Sequence, residues 1–156
     1  MTKKILTKNS YYEGLLQDLY CGNDGLFSNF LHFFYQYNNI FVFYEKFSNE
    51  FQTLYKLELE ACESVCKVIF SMGGDPKYFS ANKKYISGMN IDYVKNLKNI
   101  VEFDIELIEK SLIDVKNVIS KIDDAEIKAR IKNILQIKKT EEKILKNLFL
   151  KLNQIN

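Results

Sequence analysis

The sequence predicts an all-α protein in which four long helices pack as an antiparallel bundle. Apolar residues recur at spacings of three and four along four separate stretches, which turns one stripe of each helix toward a partner. One proline and six glycines among 156 residues leave few places to turn, so the elements between them are long. Hydrophobic residues make up 47% of the chain, enough for a core, and we expect one domain over residues 1–156.

Capping and breaking residues set the expected ends of these helices. Ser10, with Glu13 three residues later, is typical of a helix N-terminus. Gly73, followed closely by Pro76, is typical of a helix C-terminus, and a second break is expected after residue 122. The predicted helices span residues 10–38, 44–72, 92–122 and 125–153.

The lengths of the connections predict the topology. Short links join the first helix to the second and the third to the fourth, which makes each of these pairs antiparallel. The connection over residues 77 to about 91 is long enough to travel the length of the bundle. We therefore expect one long crossover between helices 2 and 3.

Polar side chains interrupt the apolar stripes near the middle of the second and fourth helices. Glu58 lies on the second stripe, and Lys138 and Glu141 lie on the fourth, with apolar residues on both sides of them. The pattern predicts a buried ion pair in which Lys138 bridges Glu58 and Glu141. The alternative is a fourth helix rotated by about one residue, with Lys138 extending to the surface.

Several segments in order resemble ferritin-like proteins of the rubrerythrin and bacterioferritin kind, over most of residues 15–152. They are Tyr20-Cys21-Gly22, Phe33-Phe34-Tyr35-Gln36, Lys67 to Met72 followed by Gly73-Gly74-Asp75-Pro76-Lys77-Tyr78, Tyr85-Ile86-Ser87-Gly88 and Ile119-Ser120-Lys121-Ile122. The resemblance implies a ferritin-like bundle with a central two-metal site. Its ligands would be one Glu from each of the first and third helices and Glu-x-x-His from each of the others.

On this chain the corresponding positions are vestigial, because most of them lack a metal-binding side chain. They fall on Leu26, Glu58, Ala61, Ile108, Lys138 and Glu141. Only Glu58 and Glu141 bring a carboxylate, none brings a histidine, and Lys138 brings a cation into the site. The resemblance with these departures predicts a degenerate di-iron site, a pseudo-ferritin without a cofactor. The alternative is iron or manganese, bound weakly as a single metal through Glu58 and Glu141.

The same departures predict a non-catalytic protein that acts as a homo-oligomeric structural or interaction protein. No catalytic residue is assigned, because His32 is the single histidine and lies beside the apolar stripe rather than on it. The alternative function is a ferritin-like metalloprotein, either an oxidase or an iron-handling protein. Cys62 and Cys66 share a helical face, but with only Cys21 to add we expect packed thiols rather than a metal site.

Aromatic residues are concentrated between residues 27 and 55, where one helical stripe is too narrow to bury them all. We expect this region to form the interface of a homodimer or higher homo-oligomer. The alternatives are a link between the first two helices that folds back as a separate apolar cluster, and a bound hydrophobic ligand. A net charge of +2 gives no reason to expect nucleic acid, and no apolar run reaches the ~18 residues of a membrane span. An odd number of cysteines argues against a disulfide framework, so we expect a cytoplasmic protein.

Overall fold

The computed structural model describes residues 8–85, 91, 93 and 96–154, and these form the predicted ferritin-like bundle. Four helices make up the bundle: α2 (Leu26–Phe43), α3 (Ser48–Ser71), α4 (Leu97–Ser120) and α5 (Ala125–Gln154). A shorter helix, α1 (Ser10–Cys21), precedes them. The most extensive packing is within the pairs α2–α3 and α4–α5, and the long connection lies between α3 and α4. The fold class, including the single crossover, is confirmed.

The start of the chain differs from its prediction, because residues 10–38 form two helices rather than one. Asn9, not Ser10, is the N-cap of α1, and its side-chain oxygen accepts hydrogen bonds from the backbone N–H groups of Tyr11 and Tyr12. The chain leaves helical geometry at Gly22 and re-enters it after Gly25, and both glycines are extended. We call residues 22–25 the α1–α2 break.

The other helix ends follow their capping residues. Gly73 ends α3 with φ of +79°, a conformation that favours glycine, as the sequence predicts. Asn96 caps α4 through its side-chain oxygen, and Asp124 does the same for α5. The predicted start of the third helix at residue 92 and the crossover segment 86–88 lie outside the described residues.

The buried apolar side chains fall into two clusters. The first apolar cluster joins α1 to one end of the bundle and includes Leu16, Leu26, Ala61, Val65, Val115, Ile131 and Ile134. The second apolar cluster fills the other end and includes Phe33, Phe51, Leu54, Val101, Ile108, Leu145 and Leu148. Within the described part of the chain, no helix has both the length and the hydropathy needed to span a membrane.

Candidate functional site

Polar side chains that are no more than 4% exposed lie between the two apolar clusters. Every helix of the bundle contributes at least one of them. We call this group the central polar cluster, and its members are Asn29, His32 and Gln36 on α2, Glu58 on α3, Asp104 and Ser111 on α4, and Lys138 and Glu141 on α5.

One half of the cluster is built around Lys138. Its Nζ donates a hydrogen bond to Glu58 Oε1 and lies 3.1 Å from Glu141 Oε2. Lys138 and Glu141 are three residues apart, so they project from the same face of α5 toward α3. All three side chains have 0% exposure. The structure therefore brings together the three charged residues that interrupt the apolar stripes.

Burial and mutual charge shift the pKa values of these three groups. Burial alone would lower the pKa of Lys138, but Glu141 and Glu58 beside it raise that pKa above its usual value. Burial raises the pKa of Glu141 well above its usual range, and the nearby Glu58 raises it further. Burial also raises the pKa of Glu58, against the effect of Lys138. Burial therefore favours the protonated form of both carboxyls and Lys138 opposes it, and the two carboxyls lie too close together to titrate independently.

The other half of the cluster joins α2 to α4. His32 Nε2 lies 2.8 Å from Asp104 Oδ1, and the Gln36 amide nitrogen donates to the same oxygen at 2.9 Å. The Gln36 nitrogen also lies 2.7 Å from His32 Nε2. These three residues are buried, so the imidazole is held in one orientation against a carboxylate.

Asn29 and His32 connect the two halves. The Asn29 side chain faces Glu58 and favours its charged form, and His32 is close enough to Glu58 to act in the same direction. On its other side, the Asn29 amide nitrogen donates to Ser111 Oγ at 3.5 Å. The cluster is therefore one connected polar group rather than two separate pairs.

The remaining ligand positions transferred from the resemblance do not join this group. Leu26 and Ala61 pack in the first apolar cluster, whereas Ile108 packs in the second. The sequence interpretation gave no role to His32 and did not single out Asp104, although both side chains have metal-ligand chemistry. The four-residue spacing of Asp104 from both Ile100 and Ile108 is the sequence signal that would have found it.

The three cysteines lie near Tyr20 and are free thiols. Burial raises the pKa of Cys21 to about 12 and also raises the pKa of Cys62 and of Cys66. Thiols with raised pKa values stay protonated near neutral pH, which makes them poor nucleophiles and poor metal ligands.

The cluster fits one metal ion better than two. Within the described residues, no three His, Cys, Asp or Glu side chains converge on one point. Two divalent ions carry four positive charges, more than the carboxylates around Lys138 can offset. A single cation has better support, because Glu58 Oε2 and Glu141 Oε1 are buried without a hydrogen-bond partner. These oxygens belong to the two carboxyls that already converge on one ammonium.

No protein-family model matches this sequence, and no curated protein matches it. The fold, however, matches solved structures. Two crystal structures of KatB, a manganese catalase from Anabaena, align over 98% of this chain and 77% of their own. The TM-scores are 0.86 and 0.87, and the sequence identity is 14% in both cases.

This likeness corrects two expectations from the sequence. The neighbours are manganese catalases, so the expectation of a non-catalytic bundle without a cofactor is wrong, and the metalloprotein alternative agrees better with the finding. That expectation rested on the transferred positions Leu26, Ala61 and Ile108, which bring no ligand, and on the cation of Lys138. The resemblance in fold is confirmed: this chain has the ferritin-like four-helix-bundle fold that the manganese catalase KatB also has.

Proposed function

We propose that the protein is a ferritin-like metalloprotein that binds one metal ion, manganese or iron, weakly through Glu58 and Glu141. The observation that carries the proposal is the convergence of these two buried carboxyls, from α3 and α5, on a single cation, Lys138 Nζ. The ammonium lies where a metal ion would be held. The likeness in fold to manganese catalases supports the choice of metal.

Lys138 is the reason to expect weak binding. An entering metal ion must displace the ammonium, because two like charges a few ångströms apart repel strongly in a buried site. It must also compete with protons at Glu141, because burial raises the pKa of this carboxyl and carboxyl groups bind metals in their deprotonated form. Both requirements lower the affinity, and the second makes the affinity rise with pH.

A bound manganese or iron ion would supply a redox-active Lewis acid at the centre of the bundle. Glu58 and Glu141 would orient it, while the apolar clusters on either side exclude bulk water. His32, whose Nε2 lies 2.8 Å from Asp104 Oδ1, places an imidazole in the same buried group as Glu58. This arrangement is consistent with a role as an oxidase or an iron-handling protein.

Metal-dependent stability tests the proposal. Protein that has been washed with a chelator should melt at a higher temperature in manganous or ferrous ion, since binding to the folded state stabilises it by about 2.7 kcal/mol at a hundredfold excess over Kd. Lys138→Met should bind about tenfold or more tightly, because a difference of about 1.4 kcal/mol is tenfold and the removed charge is buried. Differential scanning calorimetry measures the melting temperature, and isothermal titration calorimetry measures the affinity of each protein for the metal ion.

Two further variants make the test specific to the site. The double variant Glu58→Gln with Glu141→Gln should lose the metal response, whereas Glu60→Gln, which alters an exposed carboxylate on the same helix, should keep it. An unchanged melting temperature in both the parent and Lys138→Met would refute the proposed metal site.

We also propose that the protein forms a homodimer or higher homo-oligomer through the aromatic region 27–55. Apolar side chains cluster on the surface at the C-terminal end of α2, where Phe41, Val42 and Phe43 are 55%, 69% and 72% exposed. Adjacent exposed side chains of this size are typical of a protein interface. A second copy of the chain is the occupant we propose, because ferritin-like proteins commonly pair.

The proposed location is the cytoplasm. Cys21, Cys62 and Cys66 are all free thiols, and free thiols persist in reducing compartments. A fluorescent fusion protein imaged in the source cell would test this location.

A further inference from the structure

A cleft of about 520 Å³ opens on one side of the bundle, between the α1–α2 break, the crossover and α4. Its wall includes Asp24 and Gly25 from the break, Lys84 from the crossover, and Ser111 and Asp114 from α4. Of the central polar cluster, Ser111 is the member that reaches this wall. The cleft therefore lies directly outside the buried site.

The wall of the cleft carries both signs of charge beside apolar side chains. Lys110 forms an ion pair with Asp24, and Asp114 stands next to Lys110. Partial burial raises the pKa of Asp114. The charged and polar groups of this wall can hold water and small ions, since such groups need hydrogen-bond partners.

Ser111 and Asn29 connect this cleft to the ion pair in the core. Ser111 is only 4% exposed, and its hydroxyl accepts a hydrogen bond from the Asn29 amide nitrogen at 3.5 Å. Asn29 in turn faces Glu58, which is bonded to Lys138. A hydrogen bond of 3.5 Å is longer than the usual 2.9–3.0 Å for N–H···O, so an incoming water molecule can replace it at small cost.

A second cleft, on the outer side of α4 and α5, offers no comparable route. Its volume is about 380 Å³, and its wall includes Lys116, Lys132 and Leu135. None of the residues that line it belongs to the central polar cluster. Along the bundle axis, the two apolar clusters separate the polar groups from solvent.

We infer that Ser111 and Asn29 form a gate through which water and small ions pass from this cleft to the pair Glu58–Lys138. As the entrance to a metal site, the gate rests on the proposed function. As a path for water and protons, the gate does not depend on the proposed function. The path ends at the Lys138 ammonium, whose protons exchange with solvent whether or not a metal ion binds. The two ideas can therefore fail separately.

Proton exchange at Lys138 tests the gate in metal-free protein. The ammonium protons of Lys138 are observed by nitrogen-15 NMR, and their exchange with water is measured in the parent and in two variants of equal side-chain size. Ser111→Thr keeps the hydroxyl, so its exchange rate should stay near the parent rate. Ser111→Val removes the hydroxyl that relays water, so exchange should slow about tenfold or more, the ratio expected for the loss of one buried hydrogen-bond partner.

Two controls keep the result interpretable. Asn117→Val places the same β-branched side chain on α4, in the wall of the same cleft but away from Asn29, and should leave the rate unchanged. If Ser111→Val does not fold, Ser111→Ala removes the same hydroxyl without adding bulk and should also slow exchange. Equal rates for Ser111→Thr and Ser111→Val, an equal effect of Asn117→Val, or a parent-like rate in Ser111→Ala would each overturn the gate.

Discussion

Lys138 is stable in the core because two carboxyl groups compensate for the burial of its ammonium. Its side chain has 0% exposure, and taking an ammonium out of water is costly unless a nearby anion compensates. Glu58 and Glu141 provide that compensation and keep the pKa of Lys138 above its usual value. Burial and the nearby Glu58 also raise the pKa of Glu141, which limits the negative charge that the two carboxyls bring to the core.

The first residue-scale prediction concerns the loss of this ammonium. Lys138→Ala leaves Glu58 buried without its partner, and breaking a buried pair costs about 3–5 kcal/mol of unfolding free energy. Lys138→Met combined with Glu58→Gln removes both charges while keeping the side-chain volumes, so it should recover much of that loss. Urea unfolding followed by circular dichroism measures both. A near-silent Lys138→Ala would show that the lysine is not paired in the core.

A second residue-scale prediction concerns pH. The pKa of Glu141 is ordinary in the unfolded chain, near 4.5, and raised in the folded protein. The folded state therefore binds this proton more tightly, so the stabilising contribution is complete below pH 4.5 and is lost as pH rises through the raised pKa. Glu141→Gln cannot ionise, so its stability should increase relative to the parent as pH rises. Urea unfolding across that range measures the difference.

Glu142→Gln is the matched control for this pH prediction, because Glu142 is the next residue on α5 and lies nearer the surface. Its difference from the parent should not follow the pattern of Glu141→Gln. A pH-independent difference between the parent and Glu141→Gln would contradict the raised pKa.

The charged residues of the site could be predicted from the sequence only on helices whose buried face was predicted correctly. Glu58, Lys138 and Glu141 interrupt stripes that apolar residues fix from both sides, so their positions followed from spacing alone. His32 was given no role because the predicted first helix ran through the α1–α2 break with one continuous apolar stripe, which included Phe30, Phe33 and Tyr37. The buried positions of α2 instead include Asn29, His32, Phe33, Gln36 and Ile40.

The α1–α2 break is the element that sets the phase of α2. Backbone packing at Gly25 is too close for a side chain, because a Cβ there would lie 2.7 Å from Tyr20 O and 2.9 Å from Leu19 O. The carbonyl oxygen of Gly25 accepts a hydrogen bond from the Asn29 N–H at 3.1 Å. The break thus fixes the first turn of α2 and, with it, the position of Asn29.

Two glycine substitutions test this element. Gly25→Ala should destabilise the protein by about 1–3 kcal/mol, the usual cost of forcing extra atoms into a packed site. Gly14→Ala, inside α1, should stabilise it by about 0.5–1 kcal/mol, because alanine favours the helix and its Cβ meets only Ala81 Cβ at 4.0 Å. Thermal unfolding of both variants measures the contrast. The prediction fails if the two substitutions have the same sign.

At the scale of the whole molecule, the topology was the easiest part to predict. Two short links and one long connection leave few ways to pack four apolar stripes, so the crossover followed from chain length. The polar interior was harder, because four helices from distant parts of the chain contribute to it. Asp104 contacts His32 only because α2 and α4 pack together, and no local sequence pattern predicts that contact.

The last prediction concerns exposed aromatic side chains on the outer surface of the bundle. Phe41 and Phe43, at the end of α2, are 55% and 72% exposed, and a surface of this kind in a monomer would favour association. The double variant Phe41→Ser with Phe43→Ser should shift the parent oligomer to monomer, as measured by sedimentation velocity. Phe70→Ser is the matched control, because Phe70 is 60% exposed but lies on α3 outside region 27–55. A monomeric parent, or dissociation by Phe70→Ser alone, would rule out an interface at this end of α2.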